Sequence, residues 1–407
     1  MKYLIMIAIF CTNIMLMSAQ EFTVVQQVSG NCRDFYSGII ATSDGVFDIV
    51  TGEKLLDIGD IFDMIPDTNY VIGYDGVYDL TTGDNIINLD NVDPRSLSPD
   101  NAYFAVNGVG IYDVETWELI IVPERIYFRP LFSPDGKYIL LGSDLYDLTT
   151  REIVLADVSP GNGISGQFSP RGTFLADPSR GIFNLITWEW VYEDEPFPDD
   201  PDVLWVAALG DGVFSPDETL LAMHNGVFST HTWERIFETE SGTDTNRFSA
   251  DSHYLYIDDD AVYNVNTGQP LFSVWGYGLF TSDSEFFINI DYASRVIEAY
   301  DLKDGTLNSS ARSDKSLNYR YRLNEDDTLL LIPDNAVFDL ATGEKLYDVP
   351  RYSRFSQDGK WIVSDDGLVD ATTGQVIWDA NVIAISDDNA YLAVQEQDKC
   401  SIYTFDG

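Results

Sequence analysis

The sequence predicts an all-β chain of about eleven short four-stranded repeats closed into one ring, and three observations carry that prediction. One pattern recurs, as LSPDNAYFAVNGVGIYDVETWELIIV from Leu97, FSPDGKYILLGSDLYDLTTREIVLAD from Phe132 and FSQDGKWIVSDDGLVDATTGQVIWDA from Phe355. Apolar and polar residues alternate with period two between clusters of Gly, Asp, Asn and Pro, the signature of antiparallel strands. Past the N-terminal apolar run, no stretch sustains a 3.6-residue period between helix caps.

The residue after the aromatic in GVFD, GVYD and their relatives serves as a ruler. It falls at Asp48, Asp79, Asp113, Asp147, Asn184, Ser229, Asn264, Asp301, Asp339, Asp370 and Thr404, spanning 356 residues in ten steps, about 36 per unit. Each unit reads as an apolar segment ending in FS, a PDG-type turn, a strand such as KYILLG, a strand such as GVYDL, a TTG turn and a last strand such as ELIIV. Gly supplies positive φ, Pro presets the first turn residue and Asp bonds its own backbone, so these turns reverse the chain. A meander of this size cannot bury both of its faces alone. Radial stacking about an axis does so, which makes the expected fold a β-propeller.

Closure is written into the ends. The last unit, NVIAISDDNAYLAVQEQDKCSIYTFDG, supplies three strands, and FTVVQQV, residues 22–28, is a strand without a unit, placed to complete it. Cys32 and Cys400 stand at opposite ends, and a bridge between them would lock that seam, with two buried free thiols as the alternative. Eleven units exceed the usual four to eight blades. The Pro-rich acidic stretch EDEPFPDDPD, residues 193–202, leaves open two tandem smaller propellers split near residue 195.

The units resemble WD40, YVTN and quinoprotein-type propeller repeats, through SPDGKY at 133–138 and YDLTTG at 78–83. The Trp-Asp pair of WD40 repeats is replaced by Tyr-Asp or Phe-Asp, and its Gly-His pair is absent. LVDATTGQVIWDA, ending near Trp378, resembles the tryptophan-docking repeat of quinoproteins. Other units lack that Trp and no adjacent cysteine pair exists, so quinoprotein redox activity does not follow from the resemblance.

Of 407 residues, 67 are acidic and 23 basic, a formal charge of −44. Nucleic acid is excluded as a partner, because phosphate binding draws its affinity from Lys and Arg. The balance favours solubility, divalent cations or a cationic partner. The opening MKYLIMIAIFCTNIMLMSAQEF reads as a secretory signal over residues 1–19, with an uncleaved anchor as the alternative. Residues 20–407 then form one propeller domain, exported to the periplasm, the cell surface or the medium, with no membrane insertion after cleavage.

Little in the chain points to catalysis or metals. The acidic clusters Asp199, Asp200 and Asp202, Asp258 to Asp260, and Glu325 to Asp327 lack EF-hand spacing, so the sequence predicts no cofactor, with Ca2+ on loop carboxylates the one candidate. His224, His231 and His253 fall in no zinc-binding spacing, and no G-x-S-x-G elbow is present. GNGISG, residues 161–166, matches a phosphate-loop pattern but precedes no helix.

Arginines gather at the first strand of the units: Arg95, Arg125, Arg129, Arg247, Arg320, Arg322, Arg351 and Arg354. In propellers resembling this one that strand lines the channel. Arg95, Arg129, Arg247, Arg322 and Arg354 are therefore candidates for an anion or carboxylate site, against the alternative that each pairs with a nearby Asp. The connections between units carry Trp190, Phe197, Trp205, Trp275, Tyr277, Arg312, Tyr319 and Tyr321, candidates for a protein or glycan interface unless they fill the core. The expected function is an exported, non-enzymatic binding scaffold. The alternatives are a quinoprotein-like or lyase-like propeller enzyme with an axial site, and a structural part of an envelope or extracellular assembly.

Overall fold

The computed structural model describes residues 23–404 apart from 37, 59–60, 67, 74, 89–96, 107–108, 124–129, 159–166, 178–180, 194–211, 224–225, 240–245, 259, 318–319 and 365. The signal reading at 1–19 and the GNGISG stretch lie outside these. Among the described residues there are eleven antiparallel sheets and no helix. Each sheet is one blade. Blades 1 to 10 cover 32–56, 61–88, 97–121, 131–155, 167–193, 213–237, 247–273, 277–312, 322–348 and 354–378. Blade 3 is three-stranded, its first strand reduced to the bridge Leu97↔Phe104.

Every ruler residue of the repeat ends the third strand of its sheet, from Asp48 in Gly45–Asp48 to Thr404 in Lys399–Thr404. Blade 11 joins Val382–Ile385, Tyr391–Glu396 and Lys399–Thr404 to the N-terminal strand Thr23–Ser29, which pairs antiparallel from Thr23↔Thr404 to Ser29↔Lys399. The lone strand does complete the last unit. Cys32 and Cys400 form the disulfide across this seam, with Cα atoms 5.0 Å apart.

Second strands such as Tyr138–Leu141 and Leu329–Ile332 are apolar almost throughout, because neighbours cover both faces of a blade. Ile72, Ile139 and Leu330 are fully buried, each worth roughly 1.5–3 kcal/mol of transfer free energy. The buried side chains fall into eleven clusters, and each cluster is shared by two consecutive blades. One of them joins blade 11 to blade 1 through Ala384, Ala393 and Ile402 against Ile40 and Phe47. Another joins blade 5 to blade 6, where Phe174 stacks on Phe214 at 5.8 Å and 4°. That contact runs straight across the sequence division near residue 195. The chain is a single closed ring, and the two-ring alternative fails because the blade 5 to blade 6 interface is as continuous as the others.

A strict meander sorts the loops by face. The first and third turns of every blade lie on one face, the turn face. The second turns and the blade-to-blade connections lie on the opposite one, the connection face. The turn face is built from satisfied carboxylates. In blade 4 the Ser133 hydroxyl donates to Asp135 at 2.7 Å and accepts the Tyr138 amide at 2.9 Å. In blade 10 Asp370 accepts the amides of Thr372 and Thr373 at 3.1 and 2.7 Å and the Thr373 hydroxyl at 2.8 Å.

Candidate functional site

Three of the sequence-selected arginines occupy one structural position. Arg247, Arg322 and Arg354 each open the two-residue first strand of blades 7, 9 and 10, and pair with the third residue of the next strand, at Tyr256, Leu331 and Val363. Among the described residues Leu131, Gln167 and Val213 fill that position in blades 4 to 6. Arg95, Arg125 and Arg129 lie outside the described residues.

The three differ in what surrounds them. Arg354 donates from Nη2 to the Ile383 carbonyl at 2.9 Å and stands 3.9 Å from Asp34, so its guanidinium ties the first strands of blades 10, 11 and 1 together. Burial pushes the Asp34 carboxyl up, Arg354 pulls it down and Asp387 pushes it up again; the net shift is upward. Arg247 acts on Tyr321, whose hydroxyl is raised mainly by burial, against the pull of Arg247 and with the push of Tyr277 and Asp258.

Arg322 sits in a different setting. With Arg320, Tyr321, Pro333, Arg351, Tyr352 and Ser353 it lines a cleft of about 450 Å³ on the connection face, between blades 9 and 10. Among the described residues no carboxylate lines it. Arg351 lies over the Tyr352 ring, 5.5 Å from its centroid, and Tyr352 is 58% exposed. Two other clefts are acidic. One of about 500 Å³ at the seam carries Asp48, Asp387 and Asp388, and one of about 310 Å³ between blades 8 and 9 has an apolar floor rimmed by Asp283, Asp326, Asp327 and Asp339. Asp48, Asp283, Asp326, Asp339 and Asp388 accept hydrogen bonds inside their own turns.

The aromatic candidates separate as well. Trp275, between blades 7 and 8, is 69% exposed on the connection face. Tyr277 and Tyr321 are half-buried, Tyr277 edge-on to Tyr292 at 5.6 Å. Trp190 is half-buried in the outermost strand of blade 5 against Phe183 at 5.2 Å, so it packs within its own blade. Arg312 ends the outermost strand of blade 8, exposed. Phe197, Trp205 and Tyr319 lie outside the described residues. Sequence reasoning missed Tyr352; its signal was the RYSR stretch, where an aromatic stands between two arginines in a connection.

Of the acidic clusters, Asp258 and Asp260 accept the hydroxyls of Tyr256 and Tyr263 at 2.6 and 2.7 Å. Among the described residues no three His, Cys, Asp or Glu side chains gather as a metal-holding group. No helix there is long and apolar enough to cross a membrane.

Strand pairing and the closed set of inter-blade cores define the class: an eleven-bladed β-propeller. No family model matches the chain, and no curated sequence matches it. It is similar to a solved structure titled as the crystal structure of the eukaryotic initiation factor, with TM-score 0.45 and 13% identity over 74% of this chain and 88% of that one. It is also similar to the β-propeller domain of Myceliophteria thermophila Cps50 (Swd1), with TM-score 0.29 and 12% identity over 59% of this chain and 95% of that one. At these values the likenesses add nothing to what the strand pairing establishes.

Proposed function

We propose that the chain is an exported β-propeller that acts as a binding scaffold without catalysis of its own, taking a protein or glycan partner on its connection face. The observation that carries this is the pair of exposed aromatics on that face, Trp275 between blades 7 and 8 and Tyr352 among the arginines of the blade 9 to blade 10 cleft. Aromatic and Arg side chains dominate interface energetics, because each buries a large area with a polar handle at its end. The turn face exposes Val50, Ile186 and part of Trp188, which is packed on Tyr138, among carboxylates already engaged by their own turns. Export is supported by the apolar leader and by a disulfide, a bond that persists in oxidising compartments.

The test compares partner capture from the native extracellular fraction by the wild-type chain, a Trp275→Ala/Tyr352→Ala variant and Ile186→Ser, a substitution of an exposed residue on the turn face. Capture is expected to survive Ile186→Ser and to fall by about tenfold or more in the aromatic variant. Equal capture by all three, or an exported product that still begins at Met1, contradicts the reading.

A further inference from the structure

The repeat fills its inter-blade grooves on the turn face by two aromatic devices, and the groove between blades 8 and 9 has neither. In blades 3, 5 and 6 the left-handed residue of the third turn is Trp117, Trp188 or Trp233, whose ring packs on the preceding blade at Tyr70, Tyr138 or Phe174. In blades 7, 8 and 10 that residue is Gly268, Gly305 or Gly374, and the preceding blade sends in Phe237, Phe272 or Tyr347 from its outermost strand. A Cβ on those glycines would stand 3.0, 3.4 and 2.4 Å from the three rings. The rings share one register position, each opposite a Val of the third strand. Blade 9 has Gly343 at its turn, and the same register position in blade 8, opposite Ala299, holds Ser309. Serine is the smallest residue found there in the eleven blades. The cleft of about 310 Å³ lies in this groove, floored by Phe286, Ile288, Ala299 and Leu340. Phe286 opens the second strand of blade 8, the position from which Tyr70, Tyr138 and Phe174 receive their indoles.

We propose that this cleft binds a small organic cation with an aromatic body, an arylalkylammonium ion. The aromatic part follows from the repeat, which fills the corresponding grooves with an indole, a phenyl or a phenol. Phe286 offers such a ring an edge-on or offset contact. The positive charge follows from the rim, where Asp283, Asp326, Asp327 and Asp339 stand around the mouth. Each of the four already accepts a hydrogen bond from a hydroxyl or a backbone amide. They are thereby held in place and act on a ligand through their summed potential, which repels an anion and favours an ammonium group. A ring on the floor and an ammonium on a short alkyl arm match this arrangement, with the charge left in water at the rim. The volume falls within the range of clefts that take small organic ligands. The site lies on the turn face, opposite the connection face, and so goes beyond the scaffold reading.

Calorimetric titration of the disulfide-intact chain with tryptamine, its neutral counterpart tryptophol and the anion indole-3-acetate separates shape from charge. Tryptamine is expected to bind at millimolar concentration or below, tryptophol less well and indole-3-acetate least, with the differences shrinking as salt is added. Ser309→Tyr gives this groove the side chain that Tyr347 supplies to the next one. The Ser309 hydroxyl donates to the Leu340 carbonyl as the Tyr347 hydroxyl donates to that of Ala371, the residue in the same place one blade on, so the new phenol keeps a partner. This variant should melt at or above the wild-type Tm and weaken tryptamine by about tenfold or more. Ala341→Lys, at an exposed rim position where blade 8 has Lys303, should weaken it as well. Asp339→Asn, which installs the residue that blades 5 and 7 carry as Asn184 and Asn264, should bring tryptamine towards tryptophol. The inference is overturned if tryptamine does not bind the folded chain at millimolar concentration, if indole-3-acetate binds equally well, or if folded Ser309→Tyr binds tryptamine like wild type. Should Ser309→Tyr fail to fold, undiminished binding by Ala341→Lys overturns it in the same way. Loss of tryptamine binding in Trp275→Ala/Tyr352→Ala would place the ligand on the connection face and overturn it too.

Discussion

At the scale of single residues, the fifth position of the Asp-x-x-Thr-Gly turn shows how one backbone demand is met in two ways. The chain there is left-handed, at Gly52, Gly83 and Gly374 with φ of 70, 77 and 68° and at Trp117, Trp188 and Trp233 with φ of 57, 60 and 59°. That conformation costs a residue with a Cβ roughly 1–2 kcal/mol. The three Trp offset it by setting their rings edge-on against the preceding blade, on Tyr70 at 5.0 Å, Tyr138 at 5.7 Å and Phe174 at 5.4 Å. Gly374 has no such freedom, because a Cβ there would stand 2.4 Å from the Tyr347 ring, whose hydroxyl is held by the Asp370 and Ala371 carbonyls. At Gly83 the nearest atom would be 3.9 Å away. Gly83→Ala should therefore cost about 1 kcal/mol, from backbone strain alone, and Gly374→Ala about 1–3 kcal/mol more from overpacking. Urea denaturation measures both; equal losses would mean that close approach does not select glycine at this turn.

At the scale of elements, the first turn of a blade ties it to the preceding one along part of the ring. In blades 6 to 9 its left-handed residue, Glu218, Ser252, Ser284 or Asp327, accepts a backbone amide from the preceding blade, at Arg171, Asp217, Asp251 and Ser282. The seam is fastened by other means. Thr23–Ser29 supplies the outer strand of blade 11, the Cys32 amide donates to Gln395 at 2.6 Å and the disulfide closes a separation of 368 residues. Cross-linking so long a loop contributes about 6 kcal/mol in the chain-entropy account. Cys32→Ser/Cys400→Ser should lose stability on that order with the fold retained, because the strand pairing remains; an unchanged denaturation midpoint would show that the strand closes the ring alone. These elements were legible in the sequence. Alternation in FTVVQQV and turn residues in SPDG and TTG report on strands and reversals a few residues long. Arg322 could be placed at the head of a strand in the same way. Its meeting with Arg351 and Tyr352 could not, since that depends on how blade 9 sits against blade 10, and no local pattern encodes the angle between two sheets. Nor could the fate of Arg354, whose partners Asp34 and Ile383 belong to other blades. The Trp at the glycine position was visible in ETWE beside VTGE, but its meaning required the ring it packs on.

At the scale of the whole molecule, eleven blades joined by eleven cores leave no terminal repeat in need of a cap, and the remaining burden is charge. A formal −44 strains the compact state through self-repulsion. Two sets of carboxylates then give stability opposite slopes with pH. Asp48, Asp291 and Asp388 are held below the ordinary value of 3.8, first by hydrogen bonds from Thr51, Ser294 and Ser386. Their contribution is complete above 3.8 and is lost as pH falls through their folded values. Asp34 is raised above 3.8, chiefly by burial, so the folded chain holds that proton more tightly than the unfolded one. Its contribution favours the fold at low pH and is lost as pH rises through its folded value. Lowering the pH from neutrality thus relieves Asp34 and the general repulsion before it reaches the turn carboxylates. The Tm measured by scanning calorimetry should peak on the acid side of neutrality, between about pH 4 and 6, and fall steeply below. Salt should raise it more at pH 7 than at that peak, because screening acts on charge that acid has already removed. A Tm that climbs steadily to pH 8, or that salt lowers at neutrality, would mean that the turn carboxylates and not self-repulsion set the stability of the ring, and Asp34→Asn would then leave the profile unchanged.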